Sequence, residues 1–155
     1  MSTVTINHLA EEQHLLPTLQ AWFESEWPAY YGAGGIGSAE LDLLAYANRG
    51  SVPVGLVALR QGEPCGFAAL KREAFPSHPH LLPWAGAAYV KPSLRRQGIG
   101  RSLLLALEQE ARTLGHSHIY CATGTSASLL ERCGWHLLEL VQHEGQGVGV
   151  YEKAL

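Results

Sequence analysis

The chain has 155 residues, of which 46% are hydrophobic and 16% are charged, and its formal net charge is −3 at pH 7. This length fits one domain with a substantial hydrophobic core, and the composition excludes an intrinsically disordered chain. A net negative charge gives no global attraction to nucleic acid, so no nucleic-acid partner is predicted.

The amino-terminal third predicts one strand and two helices. Val4–Asn7 alternates as a strand does, and apolar residues recur at helical spacing across Leu15–Trp27. The glycine-rich segment Gly32–Gly37 is expected to form a loop, after which Ser38 caps a second helix.

Apolar runs in the middle of the chain predict three strands. Val52–Arg60 and Cys65–Arg72 are separated by Gln-Gly-Glu-Pro, which predicts a hairpin. Three prolines make Phe75–Pro83 a connection, and Trp84–Val90 follows as the third run.

The remainder predicts two helices and three strands. Apolar residues line one side of Ile99–Leu114, and Glu108 and Arg112 are expected to form an ion pair on its solvent side. A strand at His118–Ala122 and a short helix at Ser126–Cys133 follow.

Trp135–Gln142 and Val148–Lys153 then predict a final hairpin around Gly145 and Gly147. We expect Val148–Lys153 to be an exposed sheet edge or to pair with a second copy, which leaves monomer and homodimer open.

The order of these elements predicts a single α/β domain over residues 1–155. Strand Trp84–Val90, helix Ile99–Leu114 and strand His118–Ala122 form a βαβ unit, so the two strands should be parallel, whereas the hairpins are antiparallel. The sheet is therefore mixed, and a ligand is expected at the carboxyl end of Trp84–Val90.

A basic turn joins that strand to that helix, with the sequence Arg-Arg-Gln-Gly-Ile-Gly at Arg95–Gly100, followed by Arg101 and Ser102. The two glycines leave the backbone open to a ligand, and the free N–H groups and positive dipole of a helix start attract an anion. The turn therefore predicts a site for a phosphate-bearing cofactor.

This strand–turn–helix resembles the signature of the GNAT superfamily of N-acetyltransferases: Arg or Gln, two residues, Gly, one residue, then Gly or Ala. Ser128–Trp135 is also similar to the family's late helix, which runs into Gly and an aromatic residue. The resemblance implies a GNAT-like fold, with a mixed six- to seven-stranded sheet, about four flanking helices and a splay at the parallel strand pair.

The resemblance also implies an enzyme that moves an acetyl group from acetyl-CoA directly to a primary amine of a small molecule, peptide or protein. The pyrophosphate would rest on the turn's backbone amides, and the acetyl carbonyl would meet an N–H near Val90. The implied cofactor-binding residues are Ala88, Tyr89, Val90, Arg95, Arg96, Gln97, Gly98, Ile99, Gly100, Arg101 and Ser102.

The positions that usually move protons in the family hold side chains that cannot ionise. By two-residue alternation, the strand positions on the face of Val90 are Trp84, Gly86 and Ala88, and the usual late-helix tyrosine aligns with Leu130. Candidate substitutes are Glu73, Ser128, Glu24 and Glu26. Solvent could instead relay the protons while the enzyme positions the reactants.

An alternative function is a sensor or interaction domain that binds acetyl-CoA or another phosphate-bearing ligand with little or no catalysis. The acceptor itself is not specified by the sequence. Trp27, Tyr30 and Tyr31, with Glu24 and Glu26, would form an aromatic and acidic rim suited to a cationic amine, although the aromatics fit a core equally well.

Other motifs are weaker. Gly32–Gly37 reads G-x-G-x-x-G, but a helical segment precedes it where a dinucleotide fingerprint needs a strand. The His78/His80 and His116/His118 pairs each lack a third ligand nearby, so no metal is predicted.

The three widely spaced cysteines favour reduced thiols, and a nucleophilic role for Cys121 or Cys133 is disfavoured because the family transfers acetyl directly. The amino terminus lacks a signal-peptide pattern and no apolar run is long enough to span a bilayer. We therefore expect a cytoplasmic protein with no membrane partner.

Overall fold

A seven-stranded sheet runs through residues 3–155, which are the residues described by the computed structural model. Its strands are β1 (Val4–His8), β2 (Val54–Arg60), β3 (Glu63–Lys71), β4 (Trp84–Val90), β5 (His118–Thr123), β6 (His136–His143) and β7 (Gln146–Ala154). The α-helices of the same residues are α1 (Leu16–Glu26), α2 (Pro28–Tyr31), α3 (Ala39–Tyr46), α4 (Ile99–Thr113) and α5 (Ala127–Arg132).

The sheet order is β1-β2-β3-β4-β5-β7-β6, and within it β4 and β5 are the parallel pair. Their ladder has a single register pair, Trp84 with Tyr120, next to a hydrogen bond from the Tyr120 N–H to the Pro83 carbonyl oxygen (3.0 Å). Beyond that pair the two strands diverge. The predicted mixed sheet and its splay are therefore confirmed.

Helices cover both faces of the sheet, and β2 and β3 are therefore buried on both sides. Alternate side chains enter opposite cores: Leu56 and Leu70 pack with α4, whereas Val57 and Phe67 pack with α1 and α3. The predicted amphipathic stripe of α4 is buried as expected, with Leu103 only 2% exposed. The sheet thus has one hydrophobic core on each face.

A β-bulge in β4 overturns the expected side-chain alternation. Gly86 pairs with Ala69 and Tyr89 with Phe67, so the two residues 87 and 88 stand opposite one residue of β3, and Ala87 has a φ of 51°. The extra residue reverses the faces. Trp84 and Gly86 therefore do not share the face of Val90, and Ala85 takes that place in the α4 core.

The expectation of a solvent-side Glu108–Arg112 pair is also wrong. Glu108 is 3% exposed, accepts a hydrogen bond from Trp135 Nε1 (3.1 Å) and pairs with Lys153 Nζ (2.7 Å). Arg112 instead donates to the Gln109 side chain (3.0 Å). Spacing along one helix could not show that a lysine from β7 lies against α4.

The final hairpin forms as predicted, but its strands take the opposite places. β7 lies inside the sheet between β5 and β6, so β6 is the edge. The expectation that Val148–Lys153 forms an exposed edge is therefore wrong. The two-residue turn at Glu144 and Gly145, both with positive φ, folds β6 outward and returns the chain against β5.

Candidate functional site

A cavity of about 610 Å³ opens where β4 and β5 diverge. One wall is β4 from Ala85 to Val90, and the other is the end of β5 with the loop from Thr123 to Ser126. The buried side of α4 forms its floor, and the end of α1 contributes Glu26 and Trp27. The cavity lies at the carboxyl end of β4, as the topology predicted.

The basic turn ends in the exposed amino terminus of α4. Arg96 and Gly98 both have positive φ (64° and 85°), which turns successive backbone N–H groups toward one concave surface. The first intrahelical bond runs from the Ser102 N–H to the Gly98 carbonyl oxygen (3.0 Å), so the earlier N–H groups have no acceptor within the helix. This end of the cavity favours an anion.

The two glycines of the turn leave the space beside the backbone empty. A Cβ built on Gly98 or Gly100 would meet no atom of the described residues within 4 Å. Open space beside backbone N–H groups fits a ligand that contacts the main chain. The residues present therefore fit a diphosphate group.

Most predicted cofactor-binding residues border the cavity. Its lining includes Ala88, Tyr89, Val90, Arg95, Arg96, Ile99 and Gly100. Gln97, Gly98, Arg101 and Ser102 are not in the lining and lie exposed on the adjoining turn and first helical turn. The structure thus gathers the predicted set at one end of the splay.

The peptide of Val90 faces the splay. The Lys91 N–H donates to the Cys65 carbonyl oxygen on β3 (3.0 Å), and neighbouring residues of a strand direct their polar groups to opposite edges. The N–H and carbonyl of Val90 therefore point toward β5. The carbonyl oxygen accepts a hydrogen bond from Arg95 Nε (2.8 Å).

Arg95 has two further contacts at the same place. Its Nη2 lies 3.6 Å from Oε2 of Glu26, and its guanidinium carbon is 5.6 Å from the ring centre of Tyr89. The Trp22 ring also packs against Tyr89, with 4.9 Å between the ring centres. Arg95 therefore connects the basic turn, β4 and α1.

The candidate proton-transfer residues are mostly outside the cavity. Glu73 and Ser128 are exposed and do not line it, whereas Leu130 does and is 2% exposed. A Cβ at Gly86 would meet Cδ of Lys71 at 2.9 Å, so that position is covered by a lysine side chain. Burial raises the pKa of Tyr46, and the carboxylates of Asp42 and Glu73 add to that rise.

Among the described lining residues Glu26 is the one carboxylate. Glu24, two residues earlier on α1, instead accepts a hydrogen bond from Gln20 (3.2 Å) and does not line the cavity. Helical spacing separates the two glutamates by about 200°, so they face different directions. The structure thus distinguishes two residues that the sequence left equivalent.

The aromatic residues before the glycine-rich loop divide between core and cavity. Trp27 lines the cavity while its ring packs edge-on against Phe23 (5.1 Å between centres). Tyr31 donates to an Asp42 carboxylate oxygen (2.6 Å), and Tyr30 is 44% exposed. Because α2 precedes the loop, the G-x-G-x-x-G segment lacks the strand of a dinucleotide site.

Cys121 lines the cavity, and burial raises the pKa of its thiol from 9.0 to about 12. A thiol with a raised pKa carries little thiolate at neutral pH, which disfavours it as a nucleophile. In residues 3–155 no group of three or more His, Cys, Asp or Glu side chains could hold a metal ion, and no helix is long and apolar enough to cross a membrane.

Sequence reasoning missed two residues that shape the site. Arg60 Nη1 donates to Gln97 Oε1 (3.0 Å), which ties the β2–β3 hairpin to the basic turn across 37 positions, a separation without any local signal. Thr123 Oγ1 accepts hydrogen bonds from the N–H groups of Thr125 (3.2 Å) and Ser126 (2.9 Å). The Thr-Gly-Thr-Ser sequence is typical of such a side-chain-stabilised turn.

The profile of the acetyltransferase (GNAT) family matches residues 19–135. The chain therefore belongs to the GNAT family, and by class it is an N-acetyltransferase enzyme. The family and the enzyme class that the Arg95–Gly100 turn predicted are therefore confirmed. No curated protein sequence gives a significant match.

Solved structures agree on the fold. An aminoglycoside 6'-N-acetyltransferase complexed with coenzyme A is 17% identical, with a TM-score of 0.78 over 97% of this chain and 96% of that one. The aminoglycoside 6'-N-acetyltransferase from Enterococcus faecium is 16% identical (TM-score 0.75, 97% and 96%). A GCN5-related N-acetyltransferase from Kribbella flavida is 18% identical (TM-score 0.73, 98% of both chains).

Proposed function

We propose that the protein transfers an acetyl group from acetyl-CoA directly to a primary amine. The observation that carries this proposal is the cavity between β4 and β5, which runs from the inward-facing Val90 peptide to the basic amino terminus of α4. The shape suits a ligand with an amide-rich arm and a diphosphate. That a neighbouring enzyme of the same fold is complexed with coenzyme A supports the choice of cofactor.

The backbone of the basic turn binds the diphosphate in this proposal. The N–H groups from Arg96 to Arg101 donate to phosphate oxygens, the Ser102 hydroxyl adds one donor, and the side chain of Arg96 neutralises charge. The hydrogen bond from Arg60 to the Gln97 side chain holds this turn against the β2–β3 hairpin. Gly98 and Gly100 keep the approach open.

The thioester of acetyl-CoA supplies an activated acetyl carbonyl, and the protein orients it. The Val90 N–H points into the splay and polarises the carbonyl oxygen as an oxyanion-type donor. Ala88 and Tyr89 continue the same β4 wall of the cavity beyond Val90.

The amine must lose a proton, because a free alkyl amine is almost entirely ammonium at neutral pH. Trp84, Gly86 and Leu130 offer no ionisable group, so we propose that solvent in the open cavity carries protons while the walls position the reactants. Glu73 and Ser128, away from the cavity, are weaker candidates for a direct role.

The test combines binding with turnover. Calorimetry with acetyl-CoA and with ADP measures ligand preference, and thiol release measures acetylation of kanamycin A, spermidine and tyramine. The aminoglycoside is included because two neighbours of this fold act on that class. We expect acetyl-CoA to bind much more tightly than ADP and at least one amine to be acetylated.

Binding of acetyl-CoA without acetylation of any of these amines would instead favour the sensor or interaction domain. The cytoplasmic location, the assignment of residues 1–155 to one domain, and the choice between monomer and homodimer stay predictions from the sequence.

A further inference from the structure

The contact between Glu26 and Arg95 joins the two halves of the cavity. Glu26 ends α1 beside Trp27, and it is the one carboxylate among the described lining residues. Arg95 begins the basic turn and reaches across the end of β4 to that carboxylate. One ion pair thus links the cofactor end to the α1 end.

This ion pair is built to be exchanged. The two side chains are 46% and 37% exposed, and the closest approach of 3.6 Å is longer than a good charge-assisted hydrogen bond. Exposed pairs of this kind contribute little, whereas arginine binds phosphate oxygens through two parallel donors. We therefore expect a diphosphate at the adjoining helix start to draw the Arg95 guanidinium away from Glu26.

When the Arg95 side chain moves to a diphosphate, the Glu26 carboxylate stays in the cavity without its cation. Glu26 then offers a negative charge, and the adjacent Trp27 also lines the cavity. A carboxylate and an indole both attract an alkylammonium group. A neutral or anionic acceptor would gain nothing from the exchange.

We propose that Glu26 is the acceptor-binding residue, and that the acceptor's ammonium group replaces Arg95 on its carboxylate once the cofactor's diphosphate has taken the Arg95 side chain. This inference rests on the proposed function and assigns it a substrate class, cationic primary amines. Cofactor and acceptor therefore bind with positive coupling, since each favours the state in which the Arg95–Glu26 pair is broken.

The cofactor arm of the test requires no acceptor. Calorimetric titration of CoA into the full chain should give roughly threefold tighter binding for Glu26→Gln than for wild type, the change expected on removing an exposed ion pair. Glu24→Gln, on the same helix but outside the cavity, should leave CoA affinity unchanged. Arg95→Gln should weaken CoA binding.

A double-mutant cycle separates exchange from a general field effect of one negative charge. In the Arg95→Gln background, Glu26→Gln should no longer alter CoA affinity. Tightening that persists without Arg95, or CoA affinity that is equal in wild type and Glu26→Gln, would overturn the exchange.

The acceptor arm measures the KM of kanamycin A, spermidine and tyramine, wherever acetylation occurs. Glu26→Gln should raise the KM about tenfold with a smaller effect on kcat, whereas Glu24→Gln should change it less than twofold. An unchanged KM for every acetylated amine would overturn the role of Glu26. Absence of CoA binding by the wild-type chain, or of any acetylation despite it, would instead count against the proposed function.

Discussion

The residues that distinguish this site are defined by backbone geometry more than by reactive side chains. Val90 presents its peptide to the splay because Lys91 is hydrogen-bonded to β3, and Gly98 and Gly100 leave open the space beside the α4 amino terminus. The cavity holds one carboxylate among its described lining residues, and Leu130 lies where an acid is usual in the family. Substitutions that alter space or backbone access should therefore affect binding most.

Gly100→Val tests the open approach to the basic turn. A Cβ at this position meets no atom of the described residues within 4 Å beyond its own helix, so the fold should persist. Valine has a slightly higher helix propensity than glycine, so Tm should change by no more than a few degrees. The same side chain occupies the space assigned to the diphosphate, and we expect CoA affinity to fall at least tenfold by calorimetry.

Leu105→Val is the matched control for Gly100→Val, because it places valine at an exposed position of the same helix. It should leave CoA affinity unchanged. Equal CoA affinity in both variants would show that the diphosphate does not approach Gly100.

The Cys121 thiol should make the free energy of unfolding depend on pH in the alkaline range. Its pKa is 9.0 ordinarily and about 12 when buried, so between these values the unfolded chain loses a proton that the folded chain keeps. Stability from this thiol is present below pH 9 and is lost as pH rises toward 12, by at most about 1.4 kcal/mol per pH unit. Urea unfolding at pH 8 and pH 10 should therefore show a larger fall for wild type than for Cys121→Ala. Equal falls would contradict a thiol whose pKa is raised in the folded chain.

At the scale of elements, local patterns predicted most of the structure and failed where distant segments meet. The amphipathic stripe of α4 and the turn chemistry of the hairpins depend on neighbours in sequence, and both were predicted correctly. The bulge at Ala87, the burial of Glu108 and the inward place of β7 depend on partners from other strands. The turn at Arg95–Gly100 could be predicted because strand, turn and helix are consecutive in sequence. The contact of Arg60 with Gln97 could not, because the two residues are 37 positions apart.

Lys153→Met tests the buried link between α4 and β7. The change leaves the Glu108 carboxyl 3% exposed and without its cation, although the Trp135 hydrogen bond remains. We expect the free energy of unfolding to fall by about 3 kcal/mol, measured in urea. The double variant Glu108→Leu/Lys153→Met should recover much of that loss, because it removes the stranded charge. A double variant no more stable than the single one would contradict this explanation.

On the scale of the whole molecule, the sheet consists of two parts that meet at one register pair. Strands β1 to β4 form a continuous antiparallel ladder, and β5, β7 and β6 form another. Trp84 and Tyr120 are the point of contact, and α4 crosses from one part to the other. A ligand between the parts should therefore stabilise the whole fold.

Thermal unfolding measures that stabilisation. At a concentration 100 times its dissociation constant, acetyl-CoA should add about 2.7 kcal/mol, which corresponds to an increase in Tm of roughly 5–10 °C for a chain of this size. ADP at the same concentration should raise Tm much less, since it lacks the arm that enters the splay. An equal increase with ADP would show that the space between β4 and β5 is not used.

The divergence of β4 from β5 also has a consequence for amide hydrogen exchange. Amides in the middle of a sheet are normally the most slowly exchanging of a domain. Here the Val90 amide is at mid-sheet and yet faces open space, so it should exchange with deuterium at rates typical of a loop. Amides of β2 and β3, which are paired on both sides, should remain protected. In the proposed function the pantetheine arm of CoA lies between β4 and β5, so CoA binding should slow exchange at Val90 toward the rate of its sheet neighbours.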